Sequence, residues 1–421
     1  MLNPKTNERE LAYIVTIDEI REIPNYDRVE HARVGGWWVI VKKNQFRVGD
    51  LAIYIEVDSR VPEKEPFMFL DKRHFKVKTL KMCKVISQGL LMSPEDFGWE
   101  VTTTGQFAGD APIVKTGPDT FVEGEFVVKA FSEILTEGDF VTEKLGITYA
   151  TEEDNKRKAN TPDKYKKMAQ RRPNLFKKSW ARWMMKREWG RKVMFFLFGK
   201  KRDVRSAWPE WVKKTDEERC QNMPWLFPGN DQEWIATEKI DGTSTTFTAK
   251  KKGHKIDFLV CSRNVVFDKP DKKCYYETNV YTEMAEKYNV EKILTGILKA
   301  STEIEFITLQ GETYGEGIQK RDYGLKEHNF MAFNLIFGMR NGEVQRLNPL
   351  MMTEFLLKYG IPSVPVIDAH FKVPETCDEL LERATGVSQL DGGMREGLVF
   401  RSKDGEQSFK AVSNEFLLKY H

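Results

Sequence analysis

The sequence of 421 residues predicts an α+β protein built from three regions. Short apolar runs separated by glycine and proline occupy residues 11 to about 105 and predict the strands of a small β-barrel. A strongly basic stretch follows, and strand and helix patterns are mixed beyond it. We therefore expect a barrel domain at residues 1–149, a basic, tryptophan-rich helical linker at 150–206, and a domain of sheets and helices at 207–421.

Apolar runs bounded by turn residues place the strands of the barrel. The predicted strands are Leu11–Val15, Trp37–Val41, Leu51–Ile55 and Ile86–Leu91. Gly35 and Gly36 form a turn between two of them, and a Gly-Asp turn at Gly138 extends the domain to about residue 148.

The linker carries most of the chain's charge asymmetry. Residues 156–205 contain 19 Lys and Arg against 3 Asp and Glu, a charge of +16, so the rest of the chain carries −13 of the net +3. Trp180, Trp183 and Met184 recur at helical spacing, and Gly190 is expected to interrupt or end that helix. Three interpretations stay open: a solvated linker with one docked helix, a nucleic-acid-binding arm, or, because Phe195–Phe198 follows, a membrane-surface helix.

Composition narrows the class of protein. Hydrophobic residues make up 40% and charged residues 31%, as in soluble proteins. The longest apolar run near the middle of the chain has six residues, against about 20 for a bilayer span. The polar N-terminus shows no secretory signal. Five scattered cysteines and six scattered histidines form no metal-binding pattern. We expect a cytoplasmic protein, and the basic run Gly199–Arg202 leaves a nuclear location open.

Strand and helix patterns place the elements of the third region. Predicted helices cover residues 283–288, 293–300 and 353–359, and predicted strands are Trp234–Glu238, Thr308–Glu312, Phe330–Phe337 and Gly397–Arg401.

The run Lys239-Ile240-Asp241-Gly242 follows one of these strands directly. A lysine that attacks phosphorus must be held on a rigid element, with a carboxylate nearby to place a metal. Alone, the tetrapeptide is equally compatible with a strand that runs into an Asp-Gly turn. Five further runs add to it in order: Ser262–Asn264, Gly311–Gln319, Met331–Asn334, Glu396–Arg401 and Ser408–Val412.

The order and spacing of these runs resemble the covalent nucleotidyltransferase superfamily of ATP-dependent ligases and mRNA capping enzymes. A narrower resemblance rests on Val34–Trp37, Ile86–Leu91, Lys214–Asn222 and Glu238–Ser244. These stretches resemble the RNA ligase family that, as in Deinococcus and Naegleria, carries an OB-fold domain before its catalytic domain. The resemblance implies an N-terminal OB-type β-barrel and a C-terminal ATP-grasp-like nucleotidyltransferase domain of antiparallel sheets and helices. The basic linker is not part of the family pattern.

The resemblance implies that Lys239 attacks the α-phosphorus of ATP and holds AMP as a phosphoramide. A free lysine has a pKa of about 10.4 and must lose its proton first. A nearby cation favours that loss. Mg²⁺ or Mn²⁺, held by Asp241, Glu312 and Glu396, would supply it, helped by Lys410, which would also contact the α-phosphate.

The remaining implied roles concern the nucleotide. The backbone beside Glu238 and Ile240 would read the adenine edge, and Gly242 would turn the chain. Arg263 would bind the ribose or a phosphate, and Phe333 would stack on adenine. Glu312 has a second implied role, binding the ribose hydroxyl.

Three features depart from the patterns of related enzymes. Ser408 stands where many relatives have lysine, so one phosphate contact is either missing or supplied by Lys403. Thr243 and Ser244 follow Gly242 where DNA ligases have x-Arg. Only eleven residues follow Lys410, so no OB-fold domain is expected after it.

The sequence thus predicts a monomeric ATP-dependent RNA ligase that seals 3′-OH and 5′-phosphate ends through lysyl-AMP and an AMP-capped 5′ end. Its substrate would be a nicked duplex or a broken structured RNA. Two alternatives remain: a GTP-dependent guanylyltransferase, and a non-catalytic nucleic-acid-binding protein on a ligase fold.

Overall fold

The computed structural model describes residues 9–97, 99–102, 134–149, 178–185, 187, 189–190, 193–194, 207–214, 217–228, 231–267 and 278–420. Most of the basic linker, including the predicted features Phe195–Phe198 and Gly199–Arg202, lies outside these residues.

The first domain consists of short strands that pair mainly in antiparallel fashion. Its strands are Ala12–Thr16 (β1), Glu19–Glu22 (β2), Val29–Val34 (β3), Trp37–Lys42 (β4), Leu51–Ile55 (β5), Ser59–Arg60 (β6), Leu80–Met82 (β7), Val85–Ser87 (β8), Leu90–Met92 (β9), Glu100–Thr102 (β10), Ile134–Thr136 (β11) and Thr148–Tyr149 (β12). Its helices are the 3₁₀ turns Phe67–Arg73 and Pro94–Phe97 and the helix Thr142–Leu145 (α1).

Two three-stranded sheets, β1-β5-β9 and β2-β3-β4, enclose the core of this domain. Alternate residues of β4, namely Trp37, Val39 and Val41, point into that core. The single strand predicted at Ile86–Leu91 is wrong, because β8 and β9 are separate. Gly89 between them has φ +104°, and a Cβ there would lie 2.3 Å from the ring of Tyr54, so the chain turns where the ring packs.

The second domain is built on two larger sheets. Its strands are Glu218–Arg219 (β13), Glu233–Lys239 (β14), Thr243–Lys252 (β15), Lys255–Ser262 (β16), Val266–Phe267 (β17), Ile304–Gly315 (β18), His328–Met339 (β19), Val344–Arg346 (β20), Val366–Lys372 (β21), Gly397–Ser402 (β22) and Ser408–Val412 (β23). The helices are Ser179–Met185 (α2, in the linker), Val280–Lys287 (α3), Val290–Ala300 (α4), Pro349–Leu357 (α5), Cys377–Ala384 (α6) and Asn414–Tyr420 (α7), with 3₁₀ turns at Cys220–Asn222 and Pro224–Leu226.

A six-stranded sheet has the order β17-β16-β15-β18-β19-β20, and a five-stranded sheet has the order β13-β23-β22-β14-β21. Every pairing in them is antiparallel except that of β13 with β23. Helices α3, α4 and α5 cover the first sheet, and α6 packs on the second. The chain passes from one sheet to the other at the turn between β14 and β15. The predicted α+β class is confirmed.

The linker helix α2 ends at Met185, before the predicted stop at Gly190. In the described part of the chain, no helix is both long enough and apolar enough to cross a membrane. The four described cysteines, Cys83, Cys220, Cys261 and Cys377, are free thiols.

A short segment, residues 217–222, joins the two domains, and we call it the junction segment. Its strand β13 pairs in parallel with β23, so that Arg219 lies opposite Lys410. Asn222, at its other end, is 1% exposed and contacts the barrel. The Asn222 amide oxygen accepts a hydrogen bond from the Trp37 indole N–H (2.8 Å), and its amide nitrogen donates to Glu56 (2.8 Å). The barrel is thereby connected to a strand of the second domain.

Candidate active site

A cavity of about 390 Å³ lies where the two large sheets meet. Ten residues singled out in the sequence line it: Glu238, Lys239, Ile240, Asp241, Gly242, Arg263, Glu312, Phe333, Glu396 and Lys410. They come from six strands and the ends of those strands, so the fold brings together residues that are up to 172 positions apart, between 238 and 410.

Lys239 ends β14, and the chain turns through Asp241 and Gly242 into β15. A Cβ at position 242 would lie 2.4 Å from the carbonyl oxygen of Thr313, so only glycine fits this close approach. The Asp241 N–H donates to the hydroxyl of Tyr323 (2.8 Å), and the Gln319 amide donates to the Gly242 carbonyl (2.9 Å). These contacts fix the turn that carries the lysine and the aspartate.

Lys239 is surrounded by carboxylates. Its Nζ donates to both oxygens of Glu396, at 2.7 Å each. Burial alone would lower the pKa of the Lys239 ammonium, but Glu396, Glu312 and Asp241 together raise it above its ordinary value. These carboxylates therefore favour the protonated form of Lys239, and a neutral amine, the form that can act as a nucleophile, requires that their negative charges be displaced or offset.

The same surroundings raise the pKa values of two of these carboxyl groups. Burial, with repulsion from Glu396, raises the pKa of Asp241 to about 7. Burial, with repulsion from Glu396 and Asp241, raises the pKa of Glu312 to about 8. A cation placed among them would relieve this repulsion and would also favour the neutral amine of Lys239.

These residues fit a metal that arrives with the nucleotide. Within the described ranges, no group of three or more His, Cys, Asp or Glu side chains is arranged to hold a metal ion unaided. Both oxygens of Glu396 are turned to Lys239 instead. Mg²⁺ commonly keeps several waters and takes ligands from substrate phosphates, so incomplete protein ligation suits it.

Arg263 and Phe333 occupy other parts of the cavity wall. Arg263 follows β16, and its Nη2 donates to the hydroxyl of Tyr149 in the barrel (3.4 Å), so the barrel reaches the rim of the cavity. Phe333 on β19 packs with Ile240 and Val364 and presents a flat apolar surface.

Comparisons with known proteins agree with this geometry. Residues 11–94 match the family model of an OB-fold domain, and residues 232–421 match that of RNA ligase. The chain belongs to the RNA ligases with an N-terminal OB-fold domain. The predicted family and the predicted OB-type barrel are thus confirmed.

Solved structures of a Naegleria gruberi RNA ligase are similar over almost the whole length of this RNA ligase. The structure with PPi is 24% identical, with a TM-score of 0.62, and the match covers 98% of this chain and 99% of that one. A variant with AMP and Mn is 25% identical, with the same TM-score and coverage. Another variant, with ATP and Mn, is 25% identical with a TM-score of 0.60 and the same coverage. A comparison with curated protein sequences finds no match.

The side chain of Glu238 is hydrogen-bonded to a loop beside the cavity. Its carboxylate accepts hydrogen bonds from the Ser388 hydroxyl (2.5 Å) and the Gln389 N–H (2.8 Å). Its own N–H donates to the Pro365 carbonyl (2.9 Å) and is therefore already in use. The Glu238 side chain thus lines the cavity and is tied to a neighbouring loop.

Lys403 does not reach the cavity. It follows β22, and its Nζ lies 2.5 Å from Glu233, at the first residue of β14. Lys239 stands at the last residue of the same strand, so the two lysines are at opposite ends of it. The prediction that Lys403 replaces the lysine missing at Ser408 is not supported by this placement.

Arg401 is a charged cavity residue to which the sequence analysis assigned no role. It lies opposite Ser408 in the register of β22 and β23, and it is 1% exposed. Its Nη2 donates to Glu217 of the junction segment (2.8 Å), while its Nε and Nη1 have no hydrogen-bond partner in the described part of the chain. Burial lowers the pKa of its guanidinium. Arg401 thus places a positive charge opposite Ser408, and the two-residue period from Val399 could have indicated it.

Proposed function

We propose that this RNA ligase uses ATP and a divalent metal to join 3′-OH and 5′-phosphate RNA ends through a lysyl-AMP intermediate at Lys239. The observation that carries the proposal is the position of Lys239 at a strand end, inside a cavity with Asp241, Glu312 and Glu396. The ATP, AMP and manganese in the similar Naegleria structures support the same chemistry.

In the first step, Lys239 Nζ forms a bond to the α-phosphorus of ATP, and the bond to pyrophosphate breaks. The ammonium must first leave its contacts with Glu396 and release a proton. A bound Mg²⁺ or Mn²⁺, held by Asp241, Glu312 and Glu396 directly or through water, would neutralise phosphate charge. Lys410 would stabilise the charge that develops on the α-phosphate.

The other cavity residues would hold the nucleotide. Phe333 would stack on adenine, beside the apolar side chain of Ile240. Arg263 would bind the ribose or a phosphate and, in later steps, the 5′-phosphate of the RNA. Glu312 would either bind the ribose hydroxyl or contact the metal, and Arg401 would add the positive charge that Ser408 does not supply.

Two further steps complete sealing. The 5′-phosphate of one RNA end attacks the phosphorus of lysyl-AMP, which releases Lys239 and leaves an AMP-capped end. The 3′-OH of the other end then attacks the capped 5′-phosphate, and AMP leaves. We propose that the enzyme acts as a monomer in the cytoplasm, or in the nucleus, on nicked duplexes or broken structured RNA.

The test is incubation with a divalent metal and α-labelled ATP or GTP, followed by a denaturing gel. The wild-type protein should retain label from ATP, and Lys239→Ala should not. Lys239→Arg is the matched control, because it keeps a cation beside Glu396 but cannot form the phosphoramide readily. Label from GTP would indicate capping chemistry instead, and absence of label from both would indicate a binding protein.

A second arm separates the steps. RNA that already carries a 5′-AMP cap bypasses Lys239 adenylylation. Lys239→Ala should therefore seal pre-capped RNA while failing on ordinary 5′-phosphate RNA. Failure on both would mean that Lys239 is needed for more than the covalent step.

A further inference from the structure

Three tryptophans of the linker face solvent. Trp180, Trp183 and Trp189 are 47%, 48% and 51% exposed, respectively. The other side of the same segment is covered, because Ala181 and Met194 are fully buried. The segment therefore packs on the protein through Ala181 and Met194, and its indoles remain exposed to a partner.

The exposed rings pack against each other and against an arginine side chain. The rings of Trp183 and Trp189 lie 6.0 Å apart at 81° to each other. The guanidinium of Arg187 lies 4.2 Å from the centre of the Trp183 ring. A cation–π contact of this kind restrains the ring while leaving about half of it exposed. We call Trp180, Trp183, Trp189 and Arg187 the indole surface.

The charge of the surrounding sequence indicates the partner. Residues 156–205 carry +16, which attracts a polyanion and repels basic surfaces. Exposed aromatic rings among cations form the stacking platforms that bind unpaired nucleotides with little sequence preference. A membrane-surface helix would instead need a continuous apolar face. Helix α2 has only seven residues, and its Ala181 is buried against protein.

We propose that the indole surface binds unpaired nucleotides of the RNA substrate by base stacking, at a site separate from the nucleotide cavity. The choice of RNA as the partner rests on the proposed ligase function. None of the four residues lines the cavity around Lys239, so the two sites can be tested independently.

The experiment measures binding of a fluorescein-labelled single-stranded RNA by anisotropy over a range of salt concentrations. Trp180→Ala and Trp183→Ala should each weaken binding about fivefold or more, and the double variant should weaken it further. Their salt dependence should stay unchanged because no charge is lost. Trp183→Tyr should retain most of the affinity, since it keeps an aromatic face.

Trp225→Ala is the matched control, because Trp225 is 60% exposed and lies outside the indole surface. It should bind RNA as the wild type does. A fully duplex RNA of the same length should show little difference between wild type and the tryptophan variants, because its bases are already stacked. Lysine adenylylation, measured in parallel, should be equal in all of these proteins.

Unchanged affinity of the double variant for single-stranded RNA would overturn the proposal. So would a double variant that keeps its RNA affinity but loses binding to vesicles of phosphatidylcholine and phosphatidylserine, which would assign the surface to membranes. If the wild type binds RNA through the indoles but forms no lysyl-AMP, the ligase proposal fails while the stacking site stands.

Discussion

The nucleotide cavity and the joint between the two domains both bury polar side chains, but they satisfy them in different ways. At the joint, the buried amide of Asn222 is hydrogen-bonded to Trp37, to Glu56 and to Glu218 (2.6 Å). In the cavity, burial raises the pKa values of Asp241 and Glu312, and repulsion from Glu396 raises both of them further.

This difference distinguishes buried groups that stabilise the fold from buried groups that serve the reaction. A hydrogen-bonded buried group stabilises the fold, and loss of one partner leaves the other unsatisfied. A cluster of like charges destabilises the fold and is tolerated where a ligand will offset it. We therefore expect substitutions in the cavity to change activity at little cost in stability, and substitutions at the joint to do the reverse.

The largest effect should come from Glu396. Glu396→Gln removes the charged partner of Lys239 Nζ and a proposed metal ligand, so the rate of lysine adenylylation should fall by about 100-fold or more. The melting temperature should change little, because like-charge repulsion falls at the same time. Glu406→Gln, on the surface of the same domain, is the control. A variant that adenylylates normally would remove Glu396 from the mechanism.

Arg401 should have the next largest effect. Arg401→Gln removes the positive charge opposite Ser408, and adenylylation should slow by about tenfold or more. Combining it with Ser408→Lys should restore part of the rate, since a charge returns to the neighbouring strand position. Arg340→Gln is the exposed control. If Ser408→Lys gives no rescue, Arg401 acts through its contact with Glu217 and not through charge in the cavity.

A substitution of Asn222 tests the prediction that the joint between the domains contributes to stability. Asn222→Leu keeps the volume but leaves the Trp37 indole N–H and the Glu56 carboxylate without this partner, which should cost about 2–3 kcal/mol of stability. Denaturant unfolding measures the loss, with Gln345→Leu on the exposed strand β20 as control. Adenylylation by the remaining folded protein should persist. Equal stability of the two variants would show that the joint contributes nothing to the fold.

These two regions also show what the sequence could predict. The turn at Lys239, Asp241 and Gly242 was predictable because strand, turn and chemistry are adjacent in sequence. The placement of Lys403 was not, because it depends on the antiparallel register that sets Gly397 opposite Lys239 and carries Lys403 to the other end of β14. The pairing of Arg401 with Glu217 joins residues 184 positions apart, and no local pattern indicates such a contact.

The smallest effect concerns the pH dependence of stability in metal-free protein. Burial, then repulsion, raises the pKa of Glu312 to about 8, whereas a carboxyl group in an unfolded chain has a pKa of about 4.3. Between these values the folded protein keeps a proton that the unfolded chain has lost, so the stability contributed by Glu312 falls as pH rises. Glu312→Gln stays neutral at every pH and should melt at a higher temperature than the wild type at pH 8.5. Its advantage should shrink towards pH 5.

Thermal melting in EDTA at three pH values measures this difference, and Glu303→Gln, on the surface just before the same strand, is the control. The control should follow the wild-type curve throughout. Added Mg²⁺ with ATP should stabilise the wild type more than Glu312→Gln, because only the carboxylate gains from the cation. If the melting temperatures of the wild type and both variants change with pH in parallel, the burial and repulsion of Glu312 do not affect stability. The contrast between cavity and joint would then depend on Asp241 alone.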